Sequence, residues 1–344
     1  MAAMSSAGSN GQQRSLVTHH QPEVPLEHKI HPTSGEKLLE EMKQKAKRTL
    51  QGGDKSEALR VCHWLCDTQN KESIRDTIGK DLKMDFRRMT LSAVDCAALA
   101  AVISCCGELK ELDLSHTPLT PESIKILELG LSCCSKVRLV SCGLTARCCS
   151  TLSSALSAPN SQLTELWLDN NKLKDFGVEQ LCEGLRSPNC KLEKLELRSC
   201  GLTSACCSAL SSVLSSPNSW LTELSLTDNK LRDSGAHQLS EGLRSENCKI
   251  KGLWLASCDL TSACCSALSS VLSSPNSWLT ELSLSDNYLG DSGACQLSGG
   301  LRSDNCKLKE LGLWFNGISE SEKRNLRSLQ EELWRPGRQL TINT

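Results

Sequence analysis

Cysteine and histidine are the residue types here that could do chemistry: the 344-residue chain has 21 cysteines and seven histidines. A metal site needs three or four converging ligands. Cys62-His63-x-x-Cys66 offers three, but no second pair stands at a spacing that completes the set, so its cysteines read as the inner face of a helix. A nucleophile needs a base within reach. The histidines cluster at 19, 20, 28 and 31 or stand singly at 63, 116 and 237, and no nucleophile–base pair can be drawn. Gly79-Lys80 is followed by Asp and lacks the preceding glycine of a phosphate-binding loop. The reading is of a non-enzyme with no metal, no nucleotide and no cofactor.

Most cysteines recur at fixed intervals: 142, 200 and 258; 148/149, 206/207 and 264/265; 190, 248 and 306. Recurrence of this kind fits small buried apolar groups. Adjacent cysteines make poor bridges, and the total is odd. The first thirty residues lack the apolar core of a secretory signal, no Asn-x-Ser/Thr acceptor is present, and the longest apolar run, Cys96 to Ile103, is too short to span a membrane. These features predict a cytoplasmic protein with reduced thiols. Oxidation of a paired cysteine would then disturb the packing around it.

The element that must position everything else is Leu221-Thr-Glu-Leu224-Ser-Leu226-Thr-Asp-Asn229-Lys-Leu231. The pattern L-x-x-L-x-L-x-x-N-x-L is a leucine-rich-repeat strand. It returns at Leu163, Leu192, Ile250, Leu279 and Leu308, each 29 residues on. Leu224 and Leu226 point to one face of a strand. Asn229 can bond the backbone of the turn that follows. Ala236, Leu239 and Leu243 then fall at helical spacing. One strand and one helix make one repeat, which is stable only when stacked on its neighbours. Parallel strands sit ~4.8 Å apart and helices ~8–10 Å, so strands line the inside of a curve. The predicted fold class is α/β, a curved solenoid. Core positions 84, 112, 137, 166, 195, 224, 253, 282 and 311 give nine strands. The 25-residue step from Leu112 to Val137 predicts a shortened helix-to-strand connection.

Two repeat types alternate. Repeats from 163, 221 and 279 carry Asn171, Asn229 and Asn287, then Asp-x-Gly (Asp175/Gly177, Asp233/Gly235, Asp291/Gly293). Repeats from 192 and 250, and the segment around Leu139, carry Cys200, Cys258 and Cys142 instead, then a Cys-Cys pair. Alternation of these types over roughly residues 81–344 resembles ribonuclease inhibitor and the repeat region of nucleotide-binding leucine-rich-repeat receptors of the NACHT-type innate immune family. The resemblance implies a protein-binding scaffold, innate-immune or regulatory, without the nucleotide-binding module. Its rival implication is an inhibitor of a basic ribonuclease.

Residues 1–32 are rich in Ser, Gly, Gln, His and Pro and predict a disordered leader. Residues 33–80 predict three helices capping the first strand: one from Ser34 with Leu38, Leu39, Met42, Ala46 and Leu50 on a face, a second with Leu59, Cys62 and Cys66, and a third ending near Gly79. They resemble the helical segment preceding the receptor repeats. Residues 81–344 form the repeat domain, whose polar helix around Leu326 and Leu329 and short strand at Leu340 and Ile342 read as a C-terminal cap.

Between and beyond the strand leucines stand the residues of the inner face. Aromatic Trp167, Trp254, Trp314 and Phe315 cannot join the leucine core, which makes them candidate binding anchors. Asp113, Arg138, Asp169, Glu196, Arg198, Asp228 and Asp286 complete the candidate partner-binding set. Acidic residues prevail along this face, Glu111, Glu165, Glu223 and Glu281 included, and favour a protein partner with a basic surface. Trp220 and Trp278 precede the strand-opening leucine and read as packing at the turn. The formal net charge of −1 gives no bulk attraction to nucleic acid or membrane.

Overall fold

The computed structural model describes residues 34–79, 81–334 and 338–344. The expected leader, 1–32, lies outside the described residues. The chain divides at Glu40 into two compact units. Of the first, residues 34–40 are described and are helical. The second, Glu41–Thr344, holds the repeats.

Ten strands form one parallel sheet in strict chain order. They are β1 Lys83–Asp85, β2 Leu109–Asp113, β3 Cys134–Arg138, β4 Glu165–Trp167, β5 Lys194–Glu196, β6 Glu223–Ser225, β7 Gly252–Trp254, β8 Glu281–Ser283, β9 Glu310–Gly312 and β10 Thr341–Asn343. The nine repeat strands keep the register set by their core positions, Leu195 beside Leu224 and Leu224 beside Leu253. The short terminal strand pairs Ile342 with Leu311. Three helices precede the sheet: α1 Ser34–Gly52, α2 Lys55–Asp67 and α3 Lys71–Ile78. Those between and after the strands are α4 Ala93–Cys106, α5 Pro121–Ser132, α6 Cys149–Ser157, α7 Lys174–Leu185, α8 Cys207–Leu214, α9 Arg232–Leu243, α10 Cys265–Leu272, α11 Gly290–Leu301 and α12 Glu320–Leu333. The shortened connection falls between α5 and β3, which only Cys133 separates. One continuous leucine core runs the length of the second unit, from Leu50 and Leu65 to Leu340.

The alternation of repeat types has a hydrogen-bonding cause. Asn229 is buried, and its amide donates to Leu197 O and Leu226 O, both at 2.9 Å. Its Oδ1 accepts from the N–H groups of Cys200 at 3.1 Å and Leu202 at 3.0 Å. The asparagine thus satisfies the turn of the repeat before it. Asn171 and Asn287 repeat the arrangement on Cys142/Leu144 and Cys258/Leu260. Cys200 contributes a single thiol donor, to Leu168 O at 3.2 Å. The other marks of the two types also interlock. Asp175 accepts from the N–H and hydroxyl of Thr203, and Asp233 from those of Thr261. Gly177, Gly235 and Gly293 make room for the thiols of Cys149, Cys207 and Cys265, which a Cβ would meet at 2.9–3.0 Å. All twelve repeat-spaced cysteines are buried and unbridged. Burial pushes the Cys142, Cys200 and Cys258 thiols up to about 12, so they stay protonated near neutrality.

Ahead of the sheet, Cys62 faces the core while His63 turns outward, 2.7 Å from Asp95 Oδ1. Among the described residues, no helix is long and apolar enough to cross a membrane.

Candidate functional site

Strand alternation puts two rows of side chains on the inner face of the sheet, and the turn after each strand adds two more. The first row reads Lys83, Glu111, Lys136, Glu165, Lys194, Glu223, Gly252, Glu281 and Glu310. Charge alternates strictly along it as far as β6. Lys136 Nζ lies 2.8 Å from Glu165, Lys194 Nζ 2.6 Å from Glu223, and Lys83 Nζ 3.5 Å from Glu111. At Gly252 the alternation stops.

The second row is locked to the first. Arg138 Nε lies 2.7 Å from Glu111, and its guanidinium sits 4.0 Å from the centre of the Trp167 ring. Lys136 and Lys194 flank the same ring at 5.2 and 5.1 Å, and Trp167 Nε1 donates to Glu165 at 3.4 Å. Trp167 is half-buried and already has cations on its ring, contrary to its expected role as a free anchor. Trp254 is half-buried too. A Cβ on Gly252 would fall 2.4 Å from its Cη2, so the indole lies in the place that every other strand from β1 to β9 gives to a charged side chain.

The expected acidic excess is largely cancelled in the first half. Asp113 lies 3.5 Å from Arg87, and Glu196 3.3 Å from Lys194. Asp169, placed by sequence on the open surface, is buried and accepts from the Arg198 N–H at 2.8 Å. Repeat-to-repeat stacking, not a partner, uses that carboxylate. Burial raises the pKa of Asp169, and also of Glu196 despite Lys194 beside it. Burial opposes the Glu111 carboxylate as well, but the Arg138 hydrogen bond and nearby lysines outweigh it and hold the pKa low. The Arg198 residue is exposed. A cavity of about 750 Å³ at the β1–β3 end is lined by Lys55, Arg87, Arg88, His116 and Arg138 together with Asp85, Glu111 and Asp113.

The second half is different. Glu281 and Asp286 are exposed, with no ion pair among the described residues. Asp228 is exposed and accepts from the Ser199 hydroxyl. Trp314 is 50% exposed and Phe315 79%. Tyr288, 71% exposed, and Asp259 join them. A cavity of about 420 Å³ is lined by Asp228, Asp259, Asp286, Tyr288 and Phe315, together with Lys230. Tyr288 and Asp259 escaped the sequence reading, which stopped one position short. The signal was there: Tyr288 follows its asparagine where Lys172 and Lys230 follow theirs.

One turn position in each repeat has a left-handed backbone: Arg88, His116, Ser141, Asn170, Ser199, Asp228, Ser257, Asp286 and Phe315, all with φ between 50° and 61°. Asn, Asp and His visit this conformation most readily, whereas a bulky residue such as Arg88 or Phe315 is strained there by about 1 kcal/mol. Phe315 gains no burial in return.

Trp220 and Trp278, expected to pack at the turn, are more than half exposed. Each lies beneath a lysine of the next repeat, Lys249 at 4.5 Å and Lys307 at 4.2 Å from the ring centre.

Parallel strands stacked one per repeat, an asparagine or cysteine at each turn and helices behind define a leucine-rich-repeat protein. Residues 189–211, 218–240 and 276–295 match the Leucine Rich repeat family model. The chain is related to the repeat regions of the NACHT, LRR and PYD domains-containing proteins and to ribonuclease inhibitor. It is 45% identical over 104 residues to NACHT, LRR and PYD domains-containing protein 1a allele 1 of Rattus norvegicus, covering 29% of this chain and 8% of that protein. It is 42% identical over 100 residues to protein 3 of the same series in Mus musculus, covering 28% and 10%. Ribonuclease inhibitor of Mus musculus is 38% identical over 118 residues, covering 33% of this chain and 26% of that one. The matched stretch is thus a small part of each relative's length.

Proposed function

We propose that this chain is a non-catalytic, cytoplasmic protein-binding scaffold of innate-immune or regulatory type that takes a partner with a basic surface on the β8–β9 end of its inner face. One observation carries the reading. Phe315 holds a strained left-handed backbone while exposing most of its ring, next to Trp314 and the carboxylate of Asp286. Among the described residues no cation lies over that ring, so a partner is the economical reason for it. Aromatic anchors ringed by carboxylates suit an arginine- or lysine-bearing surface. No nucleic acid, membrane or nucleotide enters this reading.

The test compares partners captured by crosslinking to the intact chain with those captured by a Phe315→Ala, Asp286→Lys variant. Loss of specific partners supports the reading; an unchanged set overturns it. The ribonuclease-inhibitor reading is narrower and rests on the same acidic, aromatic end. Stoichiometric inhibition of a pancreatic-type ribonuclease in excess reductant, lost on Trp314→Ala, would establish it. Absence of inhibition at micromolar protein would remove it.

A further inference from the structure

We infer a second binding surface, for an acidic peptide segment of a partner protein, on the edge of the sheet where β7, β8 and β9 begin. Lys251, Thr280 and Lys309 immediately precede those strands. With Lys307, Arg338, Trp278, the buried side chains of Cys306 and Leu308, and Gln339, they line a cavity of about 490 Å³ whose one carboxylate among the described residues is Asp304. Lys251 and Lys309 are exposed and have no carboxylate within ion-pair distance among the described residues. Lys307 is held in place: its Nζ donates to Ser277 O at 2.8 Å and lies over the Trp278 ring. Arg338 donates through Nη2 to Leu301 O, while its Nε is buried with no hydrogen-bond partner among the described residues.

Lys110 holds the same position before Glu111, but Lys251 and Lys309 are the two that line a cavity with Trp278. Two repeats upstream, the position of Lys251 holds Glu193, while those of Trp278 and Lys307 hold Trp220 and Lys249. The surface is separate from the acidic inner face and has the opposite charge. Its cations ask for carboxylates or phosphates, and its Trp278 wall asks for an apolar group among them. A peptide bearing acidic residues around one aliphatic side chain supplies both. Single-stranded nucleic acid fits less well, because Lys307 already covers a face of the tryptophan on which a base would stack.

Fluorescence anisotropy with the full chain tests this, using a labelled nine-residue peptide of Asp and Glu around a central Leu. Saturable binding is expected, weakened roughly tenfold by joint Lys251→Glu and Lys309→Glu substitution. Trp278→Ala should also weaken it, whereas Phe315→Ala should leave it unchanged. Joint Lys251→Gln and Lys309→Gln replacement, checked for folding by circular dichroism, serves if charge reversal unfolds the repeats. No saturable binding, or binding that survives both lysine variants, overturns the proposal. So does an oligothymidylate that binds more tightly than the peptide with the same lysine dependence.

Discussion

From β1 to β6 the inner face is closed on itself; from β7 to β9 it is open. In the first stretch lysine and glutamate alternate across neighbouring strands, and Trp167 lies among Arg138, Lys136 and Lys194. In the second, carboxylates with no ion pair among the described residues stand beside exposed Trp314, Phe315 and Tyr288, with Lys230 on the same cavity wall. One continuous apolar core lies beneath both. The same scaffold therefore supports a face that stabilises the chain and a face available to another molecule. Which one a repeat presents is decided by two or three side chains per strand. Gly252 marks the boundary, since its missing side chain both ends the charge alternation and admits the Trp254 indole.

The largest expected effect tests what the two regions share. Asn229→Ala strands two backbone N–H groups and two carbonyls in the core, and should cost about 2–4 kcal/mol in urea unfolding. Asn171→Ala and Asn287→Ala should cost the same within error. Unequal losses would mean that the regions differ beneath the surface as well. Next, Phe315→Ala should weaken partner binding by roughly tenfold or more, with stability unchanged or slightly raised by relief of the left-handed strain. Trp167→Ala should do the reverse, lowering stability and leaving binding within about threefold. Isothermal titration and thermal melts separate the two, and a binding defect at Trp167 would collapse the distinction.

Gly252→Glu moves the boundary. It rebuilds the charge row but displaces the Trp254 ring, so a loss of about 1–3 kcal/mol and a red-shifted tryptophan emission are expected. The smallest effect concerns pH. Burial raises the pKa of Glu196 above its unfolded value, so its contribution to stability is greatest below the ordinary carboxylate range and is lost as pH rises through the raised value. Glu196→Gln should therefore raise the melting temperature at pH 7 and leave it nearly unchanged at pH 4. Glu111, held low by Arg138, behaves oppositely: its stabilisation is present above the ordinary range and fades as pH falls through its lowered pKa. Glu111→Gln should be destabilising at pH 7.

The architecture was legible because its cause is periodic. A leucine every few residues, repeated every 29, leaves one way to bury the apolar face, and the shortened step before β3 followed from counting. The inner-face positions were legible for the same reason, since alternation fixes which side chains leave the core. Their condition was not. Whether Asp169 meets solvent depends on the Arg198 N–H in the turn of the next repeat, 29 residues away. Whether Trp167 is free depends on cations from β3 and β5. Such contacts run across the stack, perpendicular to the direction in which a sequence is read. Reading the repeats as columns would have exposed the Lys–Glu alternation and its interruption at Gly252.

The asparagine turns imply a rule about length. Because Asn229 serves Cys200 and Leu202 rather than its own neighbours, an asparagine repeat and the cysteine repeat before it act as one 58-residue piece. The segments Leu202–Leu226 and Leu260–Leu284, 58 residues apart, are identical in sequence. Loss or gain of one such piece restores every junction: thiol beside glycine, threonine beside aspartate, amide beside unpaired N–H. Loss of a single 29-residue repeat would set two like repeats together, aspartate without its threonine and glycine without its thiol. Between β3 and β8, a solenoid joined in this way keeps every junction matched when it lengthens or shortens in steps of two strands.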